Sequence, residues 1–365
     1  PKGRQLRNAL IGVQYVASFG LIIGATFMYL QNYYMQNTPL GYDKDEIIIT
    51  NMNNNIRKSR DAFASQVKSF SGIEEVTYAE MLLSSQDQYM GWGRKYRDKD
   101  IQFQCLPVEP SFLKVMNVKI SEGRDFREED KAKRYGTFVF NERARTEYGL
   151  EIGSLIDSME IVGFMPDVKF ASFRTEVTPM AFFVWGTNNW GNQPNYAYIK
   201  VKAGSDLRGA MQHVKTTLQS FDPEYPFNVR FFDEVFNGLY EKERSLSSLI
   251  TLFSLIAIFI SVVGVFGLVV FDSEYRKKEI GIRKVLGSTT EEIIVMFNKT
   301  YIRILCVCFV LGAPIAGYVV HRWLENFAYK TPMYWWVYLI AFAIIAVITI
   351  LTVTFQNWRA ANENP

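Results

Sequence analysis

The chain has 365 residues, with 40 Lys and Arg against 37 Asp and Glu, a net charge of +3 and an aromatic content of 15%. That length accommodates a membrane domain plus one or two soluble subdomains. The near-balanced charge argues against a dedicated nucleic-acid binder, which needs a basic surplus on one face. The three cysteines, Cys105, Cys306 and Cys308, have no disulfide-framework spacing, and the two histidines, His213 and His321, lie far apart.

Lys2, Arg4 and Arg7 precede an uncharged run over 10–30. About 20 such residues cross a bilayer core as a helix. A signal peptide has a shorter core and a small-residue cleavage site. Here Tyr29, Tyr33 and Tyr34 follow instead, as an interfacial aromatic belt does. Gly20 and Gly24 form a GxxxG spacing, which lets two membrane helices approach closely.

Pro39 and Gly41 end that helix and open a soluble region to about 244. Residues 46–50 predict a strand. Residues 60–70 predict an amphipathic helix with Phe63, Val67 and Phe70 at helical spacing, and 75–78 a second strand. A matching set returns late: strand 196–201, helix 205–221, strand 227–232. Two such sets at opposite ends of one region predict a single α+β layer closed by both ends. Between them, 84–190 is an insertion of short strands and turns. Within it we expect a short helix at 110–118, a turn at 122–126, strands at 136–140 and 159–164, and a helix at 141–148. The stretch 185–194 is a loop by composition. Its tryptophans, Trp185 and Trp190, either contact a partner or pack the loop down.

Residues 233–244 are helical in pattern and predict one long helix running on into the second apolar run, 246–271, which carries no charge. A cationic segment, 276–288 (RKKEIGIRKVLGS), follows. Gly287 is a natural helix stop, because glycine enters the left-handed region without a Cβ clash. Ser288 and Glu291 read as a capping box opening a new helix over 289–300, with Ile293, Ile294 and Phe297 on one face. The third run, 304–320, starts beside Arg303, placed to snorkel to the interface as an anchor. Gly312, Pro314 and Gly317 are positioned to kink or thin it. Tyr334, Trp335 and Trp336 open the fourth run, which ends near Phe355, Trp358 and Arg359.

Lys and Arg crowd the N-terminus and 276–299, while 321–332 holds only Arg322 and Lys330. The positive-inside rule therefore puts the N-terminus, the cationic corner and the C-terminus in the cytoplasm, and the large domain outside. No G-x-x-x-x-G-K-[ST], H-E-x-x-H or G-x-S-x-G occurs. We expect no catalytic, cofactor-binding or metal-binding residue in this chain, and any nucleotide to be bound elsewhere.

With this topology, 279–288 (EIGIRKVLGS) resembles the motif after the second span of FtsX-like permeases, the MacB, Lol and FtsX group of ABC-system membrane subunits. The soluble region resembles the MacB-type periplasmic core in 112–124 (FLKVMNVKISEGR), 140–144 (FNERA) and 161–165 (IVGFM) with Pro179. The resemblance implies an α+β periplasmic domain, with porter-like and sabre-like subdomains, inserted between helices 1 and 2 of a four-helix α transmembrane domain. The expected division is 1–38 for the N-terminus and first span and 39–244 for the periplasmic core. Within the core, 39–83 and 191–244 are porter-like and 84–190 sabre-like. Residues 245–365 form the FtsX-like domain. Many Bacteroidota relatives carry two such units in one polypeptide. This chain, opening Pro-Lys-Gly-Arg, resembles a C-terminal unit, a homodimer of single units being the alternative.

The resemblance implies an inner-membrane permease worked by a separate cytoplasmic ABC ATPase that binds the ATP. The residues expected to couple to it are Arg276, Lys277, Glu279, Gly281, Ile282, Arg283, Lys284, Leu286, Gly287 and Ser288. The cations would meet acidic or polar groups, and Ile282, Val285 and Leu286 would fill an apolar notch. On charge alone, the same cations would only enforce topology. Further partners expected are a second permease unit, the lipid bilayer and a periplasmic adaptor or substrate protein. Export of a periplasmic substrate, lipoprotein release and activation of a periplasmic enzyme are the functions that fit. A membrane-anchored receptor domain without an ATPase is a weaker third class.

Overall fold

The computed structural model describes residues 2–86, 88–191, 193–275, 282, 287 and 289–362. It divides into two units, Thr38–Glu241 and a second made of Pro1–Asn37 with Lys242–Pro365.

The first unit is built on a sheet of eleven strands among the described residues. Four of them, β1 (Ile47–Asn51), β2 (Ile73–Ala79), β10 (Tyr196–Val201) and β11 (Arg230–Phe231), lie in the order β11-β1-β10-β2. All three of their pairings are antiparallel. Both chain ends thus contribute to one layer. Helices α2 (Asn54–Lys58), α3 (Arg60–Val67) and α6 (Leu207–Phe221) cover one face. Phe63 and Val67 of α3 and Val214 and Leu218 of α6 pack there with Ile48, Val76 and Ile199. The opposite face is buried as well. Tyr198 packs edge-on against Phe112 and Phe232, with centroids 5.2 and 5.8 Å away. Burial on both faces explains why β1 reads as a continuous Ile47-Ile48-Ile49 run and not as an alternation.

The inserted stretch extends the same sheet. It holds β3 (Gly91–Tyr96), β4 (Lys99–Val108), α4 (Phe112–Val115), β5 (Glu122–Gly123), β6 (Thr137–Asn141), α5 (Glu142–Tyr148), β7 (Leu155–Ile156), β8 (Met159–Met165) and β9 (Met180–Val184). The order continues β2-β4-β9-β6-β8-β5, and β2 meets β4 at the single pair Ala79↔Val108. Two pairings, β4 with β9 and β6 with β8, are parallel. This half has its own aromatic core, including Trp92, Phe103, Phe138, Phe140 and Phe183. The turn expected at 122–126 is instead strand β5 running into a loop. Gly123 has φ +79°, and a Cβ there would sit 2.3 Å from the Val162 carbonyl oxygen; a Cβ on Gly163 would sit 2.3 Å from that of Arg124. The glycines of the two resembling segments let two backbones touch.

The expected continuous helix from 233 into the second span is broken. Helix α7 (Phe232–Gly238) ends in a tight turn, Leu239 N–H donating to Phe236 O and Tyr240 N–H to Asn237 O. Tyr240 is buried between Phe173 and Phe236, and its hydroxyl accepts the Phe173 N–H at 2.8 Å. That anchor belongs to the soluble core, so the helix restarts as α8 (Glu241–Tyr275).

Among the described residues, four helices are long and apolar enough to cross a membrane, over Ala9–Asn37, Glu241–Phe271, Ile294–Leu324 and Trp335–Gln356. They belong to α1 (Lys2–Asn37), α8, α9 (Thr290–Leu324) and α10 (Trp335–Asn362). Phe19 of α1 packs against Phe309 of α9 and Phe342 of α10, with centroids at 5.2 and 6.4 Å. Polar side chains tie the helices: Tyr15 hydroxyl to Thr349 Oγ1 at 3.0 Å, Ser18 Oγ to Ser261 Oγ at 2.8 Å, and Asn298 Nδ2 donating to Thr354 Oγ1 at 3.0 Å. Buried Gln31 holds the last connection, accepting Thr331 N–H and donating to Tyr329 O. The helix expected over 289–300 is not separate. It is the first third of α9, which runs on through Pro314, because Phe297, Tyr301 and Leu305 continue one buried stripe into the bundle core.

Candidate coupling corner

Of the residues expected to couple to a partner, Ile282 and Gly287 are described. Arg276, Lys277, Glu279, Gly281, Arg283, Lys284, Leu286 and Ser288 lie outside the described residues, as does Val285. Ile282 is helical and 62% exposed. Gly287 has φ +92° with open space around it, the conformation a glycine supplies at a corner without strain.

The capping box lies one residue later than expected. Thr289 is the N-cap of α9, with extended φ −74° and ψ 157°. Its hydroxyl accepts the Glu292 N–H at 3.3 Å, and Glu292 Oε2 accepts the Thr289 N–H at 3.1 Å. The run Ser-Thr-Thr-Glu-Glu offers two registers at the same i, i+3 spacing, and Ser288–Glu291 is the other. Glu291 and Glu292 also set negative charge against the positive end of the α9 dipole. Of the face expected beyond the corner, Phe297 is buried in the bundle core and Ile294 is half-buried. This part of α9 is therefore anchored in the bundle, and among the described residues of 276–288 Ile282 is an exposed apolar group.

Gly20 and Gly24 have nothing within 4 Å of an added Cβ. They line an open apolar groove of about 530 Å³ with Met28, Ile250 and Trp323. Helices α1 and α9 approach closely at Gly312 instead, where a Cβ would lie 3.4 Å from Val16 Cα. The loop tryptophans pack down. Trp190 Nε1 donates to Glu80 at 2.6 Å and its ring lies 5.8 Å from Trp92, while the Arg60 guanidinium stacks over Trp185 at 4.5 Å.

A bundle of four membrane-length apolar helices with a large sheet domain inserted after the first of them defines a multi-pass membrane protein. Residues 251–365 match the FtsX-like permease C-terminal domain and residues 11–217 the MacB-like periplasmic core domain. The chain belongs to this family, and it is an inner-membrane protein with a large periplasmic domain. Similar proteins include the macrolide export ATP-binding/permease protein MacB of Chromobacterium violaceum, 23% identical over 230 residues, and that of Escherichia coli K12, 22% identical over 233. Each alignment covers 60% of this chain and 35% of the relative, so the chain spans about a third of the length of the curated relatives it matches. Among solved structures, the periplasmic region of MacB from Actinobacillus actinomycetemcomitans aligns with TM-score 0.40 and 14% identity, covering 55% of this chain and 95% of that one. The extracellular domain of the ABC-type transporter YknZ from Gram-positive bacteria aligns with TM-score 0.36 and 12% identity, covering 50% and 99%.

Proposed function

We propose that this chain is the passive lever of an ABC-type system, worked by ATP bound and hydrolysed in a separate cytoplasmic ATPase. The observation that carries the reading is the corner at Gly287–Thr289, at the start of a 35-residue helix, in a chain whose family is that of permeases. The ATPase docks under 276–288. Arg276, Lys277, Arg283 and Lys284 meet its polar and acidic groups, Glu279 offers a carboxylate, and Ile282, Val285 and Leu286 enter an apolar notch. Gly281, Gly287 and Ser288 shape the bend. Closure of the ATPase moves the corner, and the spans carry that displacement to the periplasmic core as rigid-body movement. In the core, 39–83 with 191–244 acts as a porter-like part and 84–190 as a sabre-like part, a division supported by their separate apolar clusters.

A second permease unit completes the membrane domain. Supporting this, α8 leaves Leu252, Phe253, Leu255, Phe259 and Val263 more than half exposed, and the groove at Gly20 and Gly24 is open. The output we favour is export of a periplasmic substrate with a periplasmic adaptor. Lipoprotein release and activation of a periplasmic enzyme use the same lever.

The test is co-purification of the ATPase from native membranes with the wild-type chain and with Arg283→Glu/Lys284→Glu. We expect the variant to lose the ATPase while keeping its membrane level. Undiminished recovery would remove the corner as the docking site. The bound periplasmic component, an adaptor or a hydrolase, separates export from activation.

A further inference from the structure

The bundle carries a lateral groove of about 440 Å³ whose lining joins two cations to an apolar wall. Val295, Asn298, Lys299, Ile302 and Arg303 of α9 line it together with Ile350 of α10. Lys299 and Arg303 stand one helical turn apart, both exposed, and neither makes an ion pair or hydrogen bond among the described residues. Asn298 ties the two walls together through its bond to Thr354.

Depth decides what such a groove meets. From Lys299 to Val320, where the apolar run ends before His321 and Arg322, the rise is about 32 Å at 1.5 Å per residue, close to the ~30 Å hydrocarbon thickness. Lys299 therefore sits at the inner edge of the hydrocarbon, with Arg303 one turn further in and its guanidinium within snorkelling reach of the headgroups. Ile350, about 22 Å along α10 from Trp335, is still inside it. The groove opens sideways, beside Val295 and Ile350, both exposed. A soluble anion would satisfy the cations and leave that wall bare. A molecule with a phosphate at one end and a hydrocarbon chain at the other fits both.

We propose that this groove holds an anionic glycerophospholipid of the inner leaflet. Its phosphate sits between Lys299 Nζ and the Arg303 guanidinium, and one acyl chain lies on Ile302 and Ile350. The site is independent of the ATPase and of the output the lever drives.

The full chain in neutral detergent is titrated with phosphatidylglycerol, phosphatidylcholine or soluble glycerol phosphate, reading the melting temperature and the lipid retained in native mass spectrometry. Phosphatidylglycerol is expected to raise the melting temperature above the phosphatidylcholine value, with glycerol phosphate inert. Each cation removed, in Lys299→Gln and Arg303→Gln, should cut phosphatidylglycerol retention about fivefold, whereas Lys299→Arg/Arg303→Lys keeps it. Equal effects of the two lipids, or undiminished retention in the Gln variants, overturn the proposal. A response to glycerol phosphate alone overturns the lipid as its source. Should the Gln variants unfold, Ile350→Trp fills the groove with both charges intact. It should also lose the phosphatidylglycerol increment, and its persistence overturns the site.

Discussion

Arg124, which reads in sequence as part of a family-like segment, works as a clamp. Its guanidinium grips Asp130 through two bonds of 2.7 and 2.9 Å, and Asp130 also accepts the Arg127 N–H. Burial works to raise the Asp130 carboxyl, but these bonds outweigh it and hold the group below the usual carboxylate range. Arg124→Ala removes the bidentate partner of a buried carboxylate but leaves it the Arg127 N–H and Lys133 Nζ at 3.6 Å, so it should cost about 2–3 kcal/mol, below the ~3–5 kcal/mol of a buried charge left fully unpaired; denaturant unfolding in detergent measures it. The neighbouring Asp125 goes the other way. Burial pushes its carboxyl up to about 6 from 3.8, against the Phe126 N–H bond and the Arg124 charge. A raised folded value means that Asp125 adds stability fully below about 3.8 and loses it as pH rises through about 6. Asp130 contributes in the opposite sense, losing its part as pH falls through its depressed value. Between pH 7.5 and 5.5 the Asp125 contribution dominates this pair. Asp125→Asn should therefore melt higher than wild type at pH 7.5 and show a smaller gain on acidification. An unchanged pH difference would refute the assignment.

At the scale of elements, the start of α9 shows how far local pattern reaches. The i, i+3 spacing predicted a capping box, and Thr289–Glu292 forms one; the choice between two overlapping registers depends on where the helix rotates its buried stripe, Phe297, Tyr301 and Leu305, into the bundle. Thr289→Ala should destabilise that first turn by about 1 kcal/mol and speed its amide exchange about fivefold. Ser288→Ala should leave exchange there near the wild-type rate. Equal effects would reassign the cap. Strand β4 was legible in principle, since Ile101, Phe103 and Cys105 alternate inward before Leu106, Pro107 and Val108 are buried together. Its neighbour β3 begins Gly-Trp-Gly, a weak strand signal, and is held by its pairing with β4. Two-residue strands such as β5 carry no periodicity to read.

For the whole molecule, the testable feature is sidedness. In a chain with Cys105, Cys306 and Cys308 replaced by Ser, Ile282→Cys should react with a membrane-impermeant thiol reagent only from the cytoplasmic side, and Leu155→Cys only from the periplasmic side. Both positions are about 60% exposed, so reactivity reports side and not burial. Labelling of both from one side would leave the lever without a handle.

The sequence by itself determined the four apolar helices among the described residues, their aromatic and cationic flanks, the large sheet region between the first and second of them, and the left-handed turn at Gly287. These are consequences of composition and short-range spacing, which a bilayer and a helix read directly. Only the tertiary structure decided that the insertion and its flanks share one sheet through Ala79 and Val108, and that Tyr240 breaks the expected long helix. It also decided that Gly312 makes the close approach to Val16 while Gly20 and Gly24 stay open. Each of those depends on which distant residue arrives opposite, a partner separated by tens to hundreds of positions, and no local pattern encodes it.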